Sequence, residues 1–286
     1  MADFDPSICF LFDNGSLRAA STLGLRQVAL RLQERVAIAV KPVSLLHSSG
    51  VDADALNCRP AELLEPAVAR FAEAGGREAM VLPLFFGPSA ALVDYVPERL
   101  AALRERFPLL EVRQAGCLVQ REDDSARLVA EALAAQVRAV ESSAEPTARH
   151  VILVDHGSPR SAVTEVRNAI ALELACALHG RVASVTAASM ERRSGPAYAF
   201  NEPLLETALS ELARNPAVSE IVIALQFLQP GRHAGPGGDI REICAEALQQ
   251  AGRPDLRVKF TPLLGDSEAV LNLLERRWLQ CLAAAD

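Results

Sequence analysis

The sequence lacks the features that mark several common classes of protein. Its six cysteines form no CxxC pair, so neither a disulfide framework nor a thiolate metal site is expected, and buried free thiols are predicted. No run approaches the ~20 uninterrupted apolar residues of a membrane helix. The acidic start at residues 1–5 has neither the basic nor the apolar segment of a secretory leader. We therefore predict a soluble, cytoplasmic protein.

Positive charge and nucleotide motifs are also scarce. The chain has 29 Lys and Arg against 36 Asp and Glu, a net charge of -7, and its basic residues are dispersed. Nucleic-acid binding depends on clustered Lys and Arg, so it is not expected. Neither a GxxxxGK[ST] loop nor a GxGxxG motif after a strand is found, which disfavours a phosphoester hydrolase built on glycine-rich loops.

The chain does contain one pattern twice. An apolar run at 8–12 leads into Asp13-Asn14-Gly15-Ser16 and, 142 positions later, an apolar run at 151–154 leads into Asp155-His156-Gly157-Ser158. The two copies differ in the residue after the aspartate, which is Asn14 in the first and His156 in the second.

A second pair of segments shows the same difference. The run VLPLFFG at 81–87 corresponds to IALQFL at 223–228, and only the latter continues into Gly231-Arg232-His233. A duplicated chain that keeps its histidines in one copy predicts one functional site in the second half, supported by a degenerate first half.

Strand-like and helix-like segments alternate strictly through both halves. Near-continuous apolar strands alternating with helices predict an α/β fold in which each half is a mainly parallel four-stranded sheet with helices on both faces. The predicted domains are 1–141 and 149–286, joined by a polar linker at 142–148. The predicted strands are 8–12, 37–46, 79–85, 110–118, 150–154, 181–189, 220–228 and 256–261, and the helices 17–35, 60–74, 92–107, 123–141, 161–179, 202–215, 238–251 and 266–284.

His156 and His233 both follow predicted strands of the second half. Ligands of open α/β sheets collect at the carboxyl ends of the strands, so the two side chains are expected to converge. Neutral imidazoles suit divalent Fe, Co or Ni. Each histidine alone is weak evidence, because a histidine at a strand end is more often a hydrogen-bonded structural residue.

Glu191 is the third candidate, because it follows the predicted second strand of the same half. A carboxylate there can accept protons or complete the coordination of a metal ion. The alternative is a surface glutamate beside Arg192 and Arg193. The corresponding part of the first half holds Leu45-Leu46-His47, and His47 either faces the same edge or ends a strand.

Four short motifs of the second half occur in a recognisable order. They are His156-Gly157-Ser158 after a strand, Phe227-Leu228 followed by Gly231-Arg232-His233, Asp239-Ile240, and Pro262-Leu263-Leu264-Gly265-Asp266. This order resembles the sirohydrochlorin chelatase family, the class II cobalto- and ferrochelatases of cobalamin and sirohaem synthesis. The resemblance spans the chain as two tandem chelatase-like domains.

The resemblance implies a function and a set of residues. Members of this family insert Co²⁺ or Fe²⁺ into a reduced tetrapyrrole and need no organic cofactor, so the metal ion, Co²⁺, Fe²⁺ or Ni²⁺, is a substrate. It implies that His156 and His233 bind the incoming ion and take part in removing the pyrrole protons, and that Glu191 is the family's acidic residue. In the second half, the spacer between His233 and Asp239 is longer than the family pattern. In the first half, Asn14 replaces the first histidine and is a poor ligand, and residues 87–91 offer no second histidine, so this half is not expected to insert metal by itself.

Five residues near the strand ends are candidates for binding the tetrapyrrole. Guanidinium groups pair bidentately with carboxylates, whereas any one arginine alone can be a solvated charge. Ser158 is also a candidate cap for the following helix. The five are Ser158, Arg160, Arg192, Arg193 and Arg232.

Two alternatives are compatible with the sequence. One is a non-catalytic protein that binds and delivers a metal ion or a tetrapyrrole, and the other is the phosphoester hydrolase disfavoured above. A two-domain chain already supplies both halves of a cleft, so a monomer that imitates a homodimer is the expected assembly.

Overall fold

The computed structural model describes residues 4–140, 142–235 and 237–284. It confirms the predicted alternation of strands and helices. The strands are β1 (Ile8–Asp13), β2 (Ala39–Ser44), β3 (Glu78–Pro83), β4 (Glu111–Gln114), β5 (Arg149–Asp155), β6 (Ser184–Ser189), β7 (Glu220–Leu225) and β8 (Arg257–Phe260). The helices are α1 (Ala19–Val36), α2 (Leu64–Glu73), α3 (Val96–Arg106), α4 (Ser125–Ala139), α5 (Ser161–Ala177), α6 (Leu205–Ala213), α7 (Asp239–Gln250) and α8 (Glu268–Ala283).

The strands form two separate four-stranded sheets. The first has the order β2-β1-β3-β4 and the second the order β6-β5-β7-β8, and every neighbouring pair is parallel. In the second sheet Ile152 lies opposite Thr186 of β6 and Ile223 of β7. The predicted α/β class with parallel sheets is confirmed.

Both faces of each sheet are covered by helices, which explains the near-continuous apolar strands. In the second sheet the apolar residues Val151–Val154 are all fully buried. One face packs against α6 and α7, and α4 and α5 pack against each other and against the strands. In the first sheet α2 and α3 contribute to the core on one face, while α8 contacts α1 and β3.

The chain divides into two compact units, and each unit contains one helix that follows the sheet of the other unit in the sequence. Unit 1 comprises the described residues of 1–120, 229–231 and 265–286, and unit 2 those of 121–228 and 232–264. Helix α4 follows the first sheet in sequence but packs beside α5, and α8 follows the second sheet but packs beside α1. The compact units are therefore cut differently from the predicted domains 1–141 and 149–286, which remain a prediction about the sequence repeat.

Several strands end earlier than predicted, because apolar runs continue into buried loops. Strand β4 ends at Gln114, whereas the predicted strand ran to Leu118, a fully buried residue beyond it. The predicted helix 123–141 ended at Glu141, which lies outside the described residues. None of the described helices is long and apolar enough to cross a membrane.

All six cysteines are free thiols, as predicted. Cys9 and Cys244 are buried, whereas Cys58 and Cys176 are exposed, so the prediction of burial was wrong for the latter two. Burial raises the pKa of the Cys244 thiol to about 12, which keeps it protonated and unreactive.

Candidate functional site

The three candidate residues lie at the carboxyl edge of the second sheet. His156 directly follows β5, Glu191 lies just beyond β6, and His233 lies in the loop between β7 and α7. Because β5 is flanked by β6 and β7, the chain leaves the centre of the sheet in opposite directions there. This is the topological switch point at which ligands of open α/β sheets bind.

The structure brings these three side chains together. The ring centroids of His156 and His233 are 4.8 Å apart, with the ring planes at 67°. The Nε2 atom of His156 is 3.5 Å from Oε1 of Glu191. The side chains of His156 and Glu191 are 47% and 61% exposed and that of His233 is 29% exposed, so the cluster is open to solvent and to a ligand.

A carboxylate orients His233. Its Nδ1 lies 2.8 Å from Oδ2 of Asp239, at the start of α7. Because an ionised carboxylate only accepts hydrogen bonds, Nδ1 carries the proton in the neutral ring and Nε2 has a free lone pair. Arg232 Nε lies 3.3 Å from the same carboxylate oxygen. Asp239 therefore leaves Nε2 as the nitrogen of His233 that can accept a proton or a metal ion.

The ring of His156 has an analogous arrangement. Its Nδ1 lies 3.1 Å from the carbonyl oxygen of Gly157, which can only accept a hydrogen bond. In the neutral tautomer that donates this bond, the free lone pair is on Nε2. That atom is the one beside Glu191. With the proton of each ring on Nδ1, the two Nε2 atoms offer lone pairs suited to a divalent ion or to a proton.

The cluster is not a closed metal site. Within the described residues, no three His, Cys, Asp or Glu side chains are arranged so that they could hold a metal ion together. Glu191 contacts His156, and Asp239 contacts His233 through Nδ1. An open pair of imidazoles suits an ion that is passed on more than one that is stored.

Backbone geometry brings the loop of Glu191 against that of His156. The Glu191 amide donates to the His156 carbonyl at 3.1 Å, and the Met190 amide donates to the Asp155 carbonyl at 2.8 Å. Gly157 has φ +90°, and a Cβ there would lie 1.9 Å from the Glu191 carbonyl oxygen. Only glycine permits this approach.

A buried carboxyl lies beneath this turn. Asp155 Oδ1 accepts hydrogen bonds from Ser189 Oγ at 2.7 Å and from the Gly157 amide at 3.1 Å. Burial raises the pKa of Asp155, although the bond from Ser189 and the nearby charge of Arg167 oppose the rise. Asp155 therefore fixes the turn that presents His156.

The loop that carries His233 is anchored at both ends. Ala234 is buried in the core of unit 2, and the amides of Asp239 and Ile240 donate to the carbonyls of Arg232 and His233, each at 3.2 Å. A Cβ on Gly238 would lie 2.6 Å from the His233 carbonyl oxygen. These contacts hold the histidine despite the glycine-rich sequence. Pro236 lies outside the described residues.

Two of the substrate-binding candidates are held by local contacts. The Arg192 guanidinium donates to Glu202 at 2.5 Å and to the carbonyl of Gly195 at 3.2 Å. Ser158 donates its amide to Asn201 at 3.0 Å, and its hydroxyl accepts from the Arg160 amide at 3.1 Å. The prediction that Ser158 caps the helix was wrong, because Arg160 occupies the N-cap position of α5 without a side-chain cap.

Arg193 and Arg232 are less constrained. Arg193 lies over the ring of Tyr198, 5.9 Å from its centroid, and it forms no ion pair with a described residue. The side chain of Arg232 is 77% exposed and meets Asp239 with one nitrogen. These two guanidinium groups keep more of their donors accessible than Arg192 does.

Unit 1 repeats the backbone of the site without its chemistry. Gly15 has φ +87°, and a Cβ there would lie 1.7 Å from the Leu46 carbonyl oxygen. The Leu46 amide donates to the Asn14 carbonyl at 3.1 Å. Asn14 therefore takes the place of His156, and Leu46 that of Glu191. His47 lies one residue further on, so it does not occupy the position that matches Glu191.

A buried carboxyl is also repeated in unit 1, and it makes stability depend on pH. Asp13 accepts a hydrogen bond from Ser44 Oγ at 2.7 Å. Burial raises the pKa of Asp13 from 3.8 to about 6, and the bonds from Ser44 and the Gly15 amide only partly oppose the rise. A raised carboxyl pKa means that the folded state favours the protonated form.

We expect Asp13→Asn to flatten the dependence of stability on pH. The contribution of the protonated Asp13 is complete below about pH 4 and is lost as the pH rises through about 6, a change of roughly 3 kcal/mol. Urea unfolding from pH 4 to pH 7 measures it. Asp255→Asn is the control, since Asp255 is exposed. If the free energy of unfolding changed with pH equally in the wild type and in Asp13→Asn, the expectation would be contradicted.

Several supporting residues were not found from the sequence. Asp239 was noted only as part of a motif, whereas the structure places it against His233. Asn201 and Arg167 were not noted at all, although both are fully buried beside the candidate site. The repeat of Asp13 and Ser44 as Asp155 and Ser189 was a signal that could have identified the buried pair.

A protein-family model matches most of the second half of the chain. Residues 150–281 match the CbiX family model, which confirms the resemblance predicted from the motifs. None of the curated proteins compared has a sequence that matches this chain.

Comparison with solved structures covers almost the whole chain. SirB from Bacillus subtilis with Fe³⁺ is 16% identical, with a TM-score of 0.69 over 98% of this chain and 96% of that one. The sirohydrochlorin chelatase SirB from Bacillus subtilis subspecies spizizenii, in complex with cobalt, is 16% identical, with a TM-score of 0.66 over 97% and 96%. CbiX, described as the terminal enzyme of sirohaem biosynthesis in denitrifying bacteria, is 17% identical, with a TM-score of 0.53 over 98% and 99%. The fold of this chain is therefore the fold that these three structures share.

Proposed function

We propose that this protein, whose residues 150–281 match the CbiX family, is a chelatase that inserts Co²⁺ or Fe²⁺ into sirohydrochlorin or a closely related reduced tetrapyrrole. One observation carries the proposal. The two histidines that distinguish the second repeat from the first meet at its switch point with ring centroids 4.8 Å apart. Each has its Nδ1 engaged, so that Nε2 is left for a ligand.

In the proposed reaction the metal ion is a substrate. His156 and His233 bind it through Nε2, and the ion then exchanges these imidazoles for the four nitrogens of the macrocycle. An open site with few protein ligands supports this transfer, because every ligand must be released.

Two pyrrole protons must leave the macrocycle as a divalent ion enters. An imidazole that has released the ion is a base of suitable strength. Glu191, 3.5 Å from Nε2 of His156 and 61% exposed, is placed to accept a proton from that ring and pass it to solvent. The products are the metallated tetrapyrrole and two protons, which balances the reaction.

The carboxylate substituents of the tetrapyrrole require cationic partners. We assign this role first to Arg193 and Arg232, whose guanidinium groups are the more accessible. Arg160 and Ser158 border the turn after His156, and Arg192 supports the loop through Glu202.

Residue chemistry supports several metals. Imidazole and carboxylate ligands accept Fe²⁺, Co²⁺ and Ni²⁺, and availability often decides among them. The SirB structures hold iron and cobalt, which supports Co²⁺ and Fe²⁺ as the first ions to test. A chain with two copies of the fold is also proposed to act as a monomer.

The test is metal insertion into anaerobic sirohydrochlorin, followed by its absorption change. Co²⁺, Fe²⁺ and Ni²⁺ are compared with and without the protein. Acceleration above the spontaneous rate is expected for at least Co²⁺ or Fe²⁺. Tight binding of the metal or the macrocycle without acceleration would instead identify a delivery protein and contradict the enzyme.

A further inference from the structure

A fully buried arginine lies in unit 2 between the loops of the candidate site. Arg167, on α5, is 1% exposed. One of its terminal nitrogens, Nη1, donates to Ser189 Oγ at 2.5 Å and to the Asn201 carbonyl at 3.0 Å. Its remaining hydrogen bonds go to Asn168, and Nη1 also lies 3.8 Å from Oδ1 of the buried Asp155. Burying a guanidinium group is costly unless its hydrogen bonds are satisfied, so this position has a specific use.

The partners of Arg167 belong to the loops of two candidate ligands. Ser189 is the last residue of β6, two positions before Glu191. Asn201 accepts from the Ser158 amide at 3.0 Å and donates to the Ser158 carbonyl at 2.9 Å, and Ser158 is two positions after His156. A single guanidinium nitrogen therefore links the loop of Glu191 to the loop of His156.

The two repeats differ at this position. Arg167 lies twelve residues after Asp155, and the residue twelve after Asp13 is Leu25, which is also buried. Ser189 bridges Leu204 and Ser44 bridges Leu63, so Asn201 corresponds to Pro60, three residues before the bridge. Unit 1 keeps the carboxyl and serine of Asp13 and Ser44 but has leucine and proline at the two positions. Its Arg26, one residue after Leu25, donates to the Pro60 carbonyl at 3.3 Å but forms no hydrogen bond with the described side chain of Ser44. The fold thus tolerates leucine at this position, and it is the arginine bonded to both the serine and the following loop that accompanies the histidine site.

We propose that Arg167 is a positioning residue that fixes the separation of His156 and Glu191. This inference rests on the proposed function in taking those two residues as ligand and proton acceptor. It extends that proposal to a residue that touches neither of the substrates.

The first test compares two buried arginines. Arg167→Leu installs the residue of unit 1 and is expected to weaken Co²⁺ binding by about 10-fold, the lower end of the range for direct partners of metal ligands, because Arg167 acts through Ser189 and Asn201. Arg277→Leu is the matched control, because Arg277 is also 1% exposed and donates to the carbonyls of Cys117 and Leu118 in unit 1. Its loss is expected to lower the melting temperature and leave Co²⁺ affinity unchanged. Equal affinities for wild type and Arg167→Leu would overturn the proposal.

A second variant separates positioning from stability. Arg167→Lys keeps the buried charge, but an ammonium group cannot hold both partners in the planar geometry of guanidinium. It is expected to melt closer to wild type than Arg167→Leu while still binding Co²⁺ several-fold more weakly than wild type. If Arg167→Lys matched the wild type in both Co²⁺ affinity and melting temperature, the positioning role would be contradicted.

Imidazole ¹⁵N spectra of the metal-free protein distinguish failure of the positioning role of Arg167 from failure of the proposed function. The His156 signals are expected to shift in Arg167→Leu and to stay unchanged in Arg277→Leu, whether or not the protein inserts metal. If Co²⁺ binding of the wild type does not depend on His156, as judged with His156→Ala, the proposed function fails. If it depends on His156, and Arg167→Leu changes neither the spectra nor the affinity, only the positioning role fails.

Discussion

Replacing His156 and His233 together with alanine is expected to reduce metal insertion by at least 100-fold. A positioned base contributes about 10²–10⁴-fold to a reaction that transfers protons, and these two rings also supply the free Nε2 atoms for the ion. Initial rates of the absorption change with Co²⁺ and anaerobic sirohydrochlorin measure the loss. Far-ultraviolet circular dichroism checks that the variant remains folded.

The repeat provides a matched control for this experiment. Asn14→Ala changes the residue that takes the place of His156 in unit 1, where Leu46 takes that of Glu191, and it is expected to leave insertion largely intact. A double-histidine variant that is folded and still inserts metal at the wild-type rate would remove both rings from the mechanism. A severe loss in Asn14→Ala would show that unit 1 takes part in the chemistry.

Gly157→Ala is expected to cause the largest loss of stability among single substitutions at the site. The residue has φ +90°, and a Cβ would lie 1.9 Å from the Glu191 carbonyl oxygen, which is backbone and cannot rotate away. Backbone strain costs about 1–3 kcal/mol, and relief of the clash must also move the loop of Glu191. We expect a loss of at least 3 kcal/mol in urea unfolding, together with weaker Co²⁺ binding.

Gly180→Ala separates the two contributions. Gly180 also has a positive φ, +71°, but a Cβ there meets nothing within 4 Å. Its substitution is expected to lower the free energy of unfolding by only about 1 kcal/mol, because a residue with a Cβ is strained in the left-handed conformation. Equal losses of unfolding free energy in Gly157→Ala and Gly180→Ala would show that the clash at Gly157 is relieved at no cost. That result would contradict the close contact between the loops of His156 and Glu191.

Local patterns were sufficient to predict the strands, the helices and their parallel arrangement. The apolar run before His156 becomes β5, and the runs before Glu191 and His233 become β6 and β7, its two neighbours. Parallel strands end at one edge, so three residues far apart in sequence were expected to meet there. Their roles as ligands and proton acceptor remain predictions.

Other features depend on tertiary contacts that local patterns do not encode. Arg167 looks in sequence like a charge on a helix, and only the fold reveals that it is buried against Ser189 and Asn201. Ser158 has the residue type of a helix cap, yet it lies two residues before the N-cap position, and its hydroxyl accepts from the Arg160 amide. The packing of α4 and α8 is equally hidden, since both have ordinary amphipathic sequences.

The exchange of α4 and α8 governs how this chain can be dissected. A fragment that starts at residue 150, where the family match begins, would carry α8 without its neighbour α1 and would expose the surfaces of α5 and β7 that α4 covers. Cleavage within 142–148 would likewise leave each fragment holding a helix that completes the other's core. The duplicated halves are thus interlocked, and a minimal fragment that retains the histidine pair has to begin upstream of α4, near Arg121, where unit 2 begins.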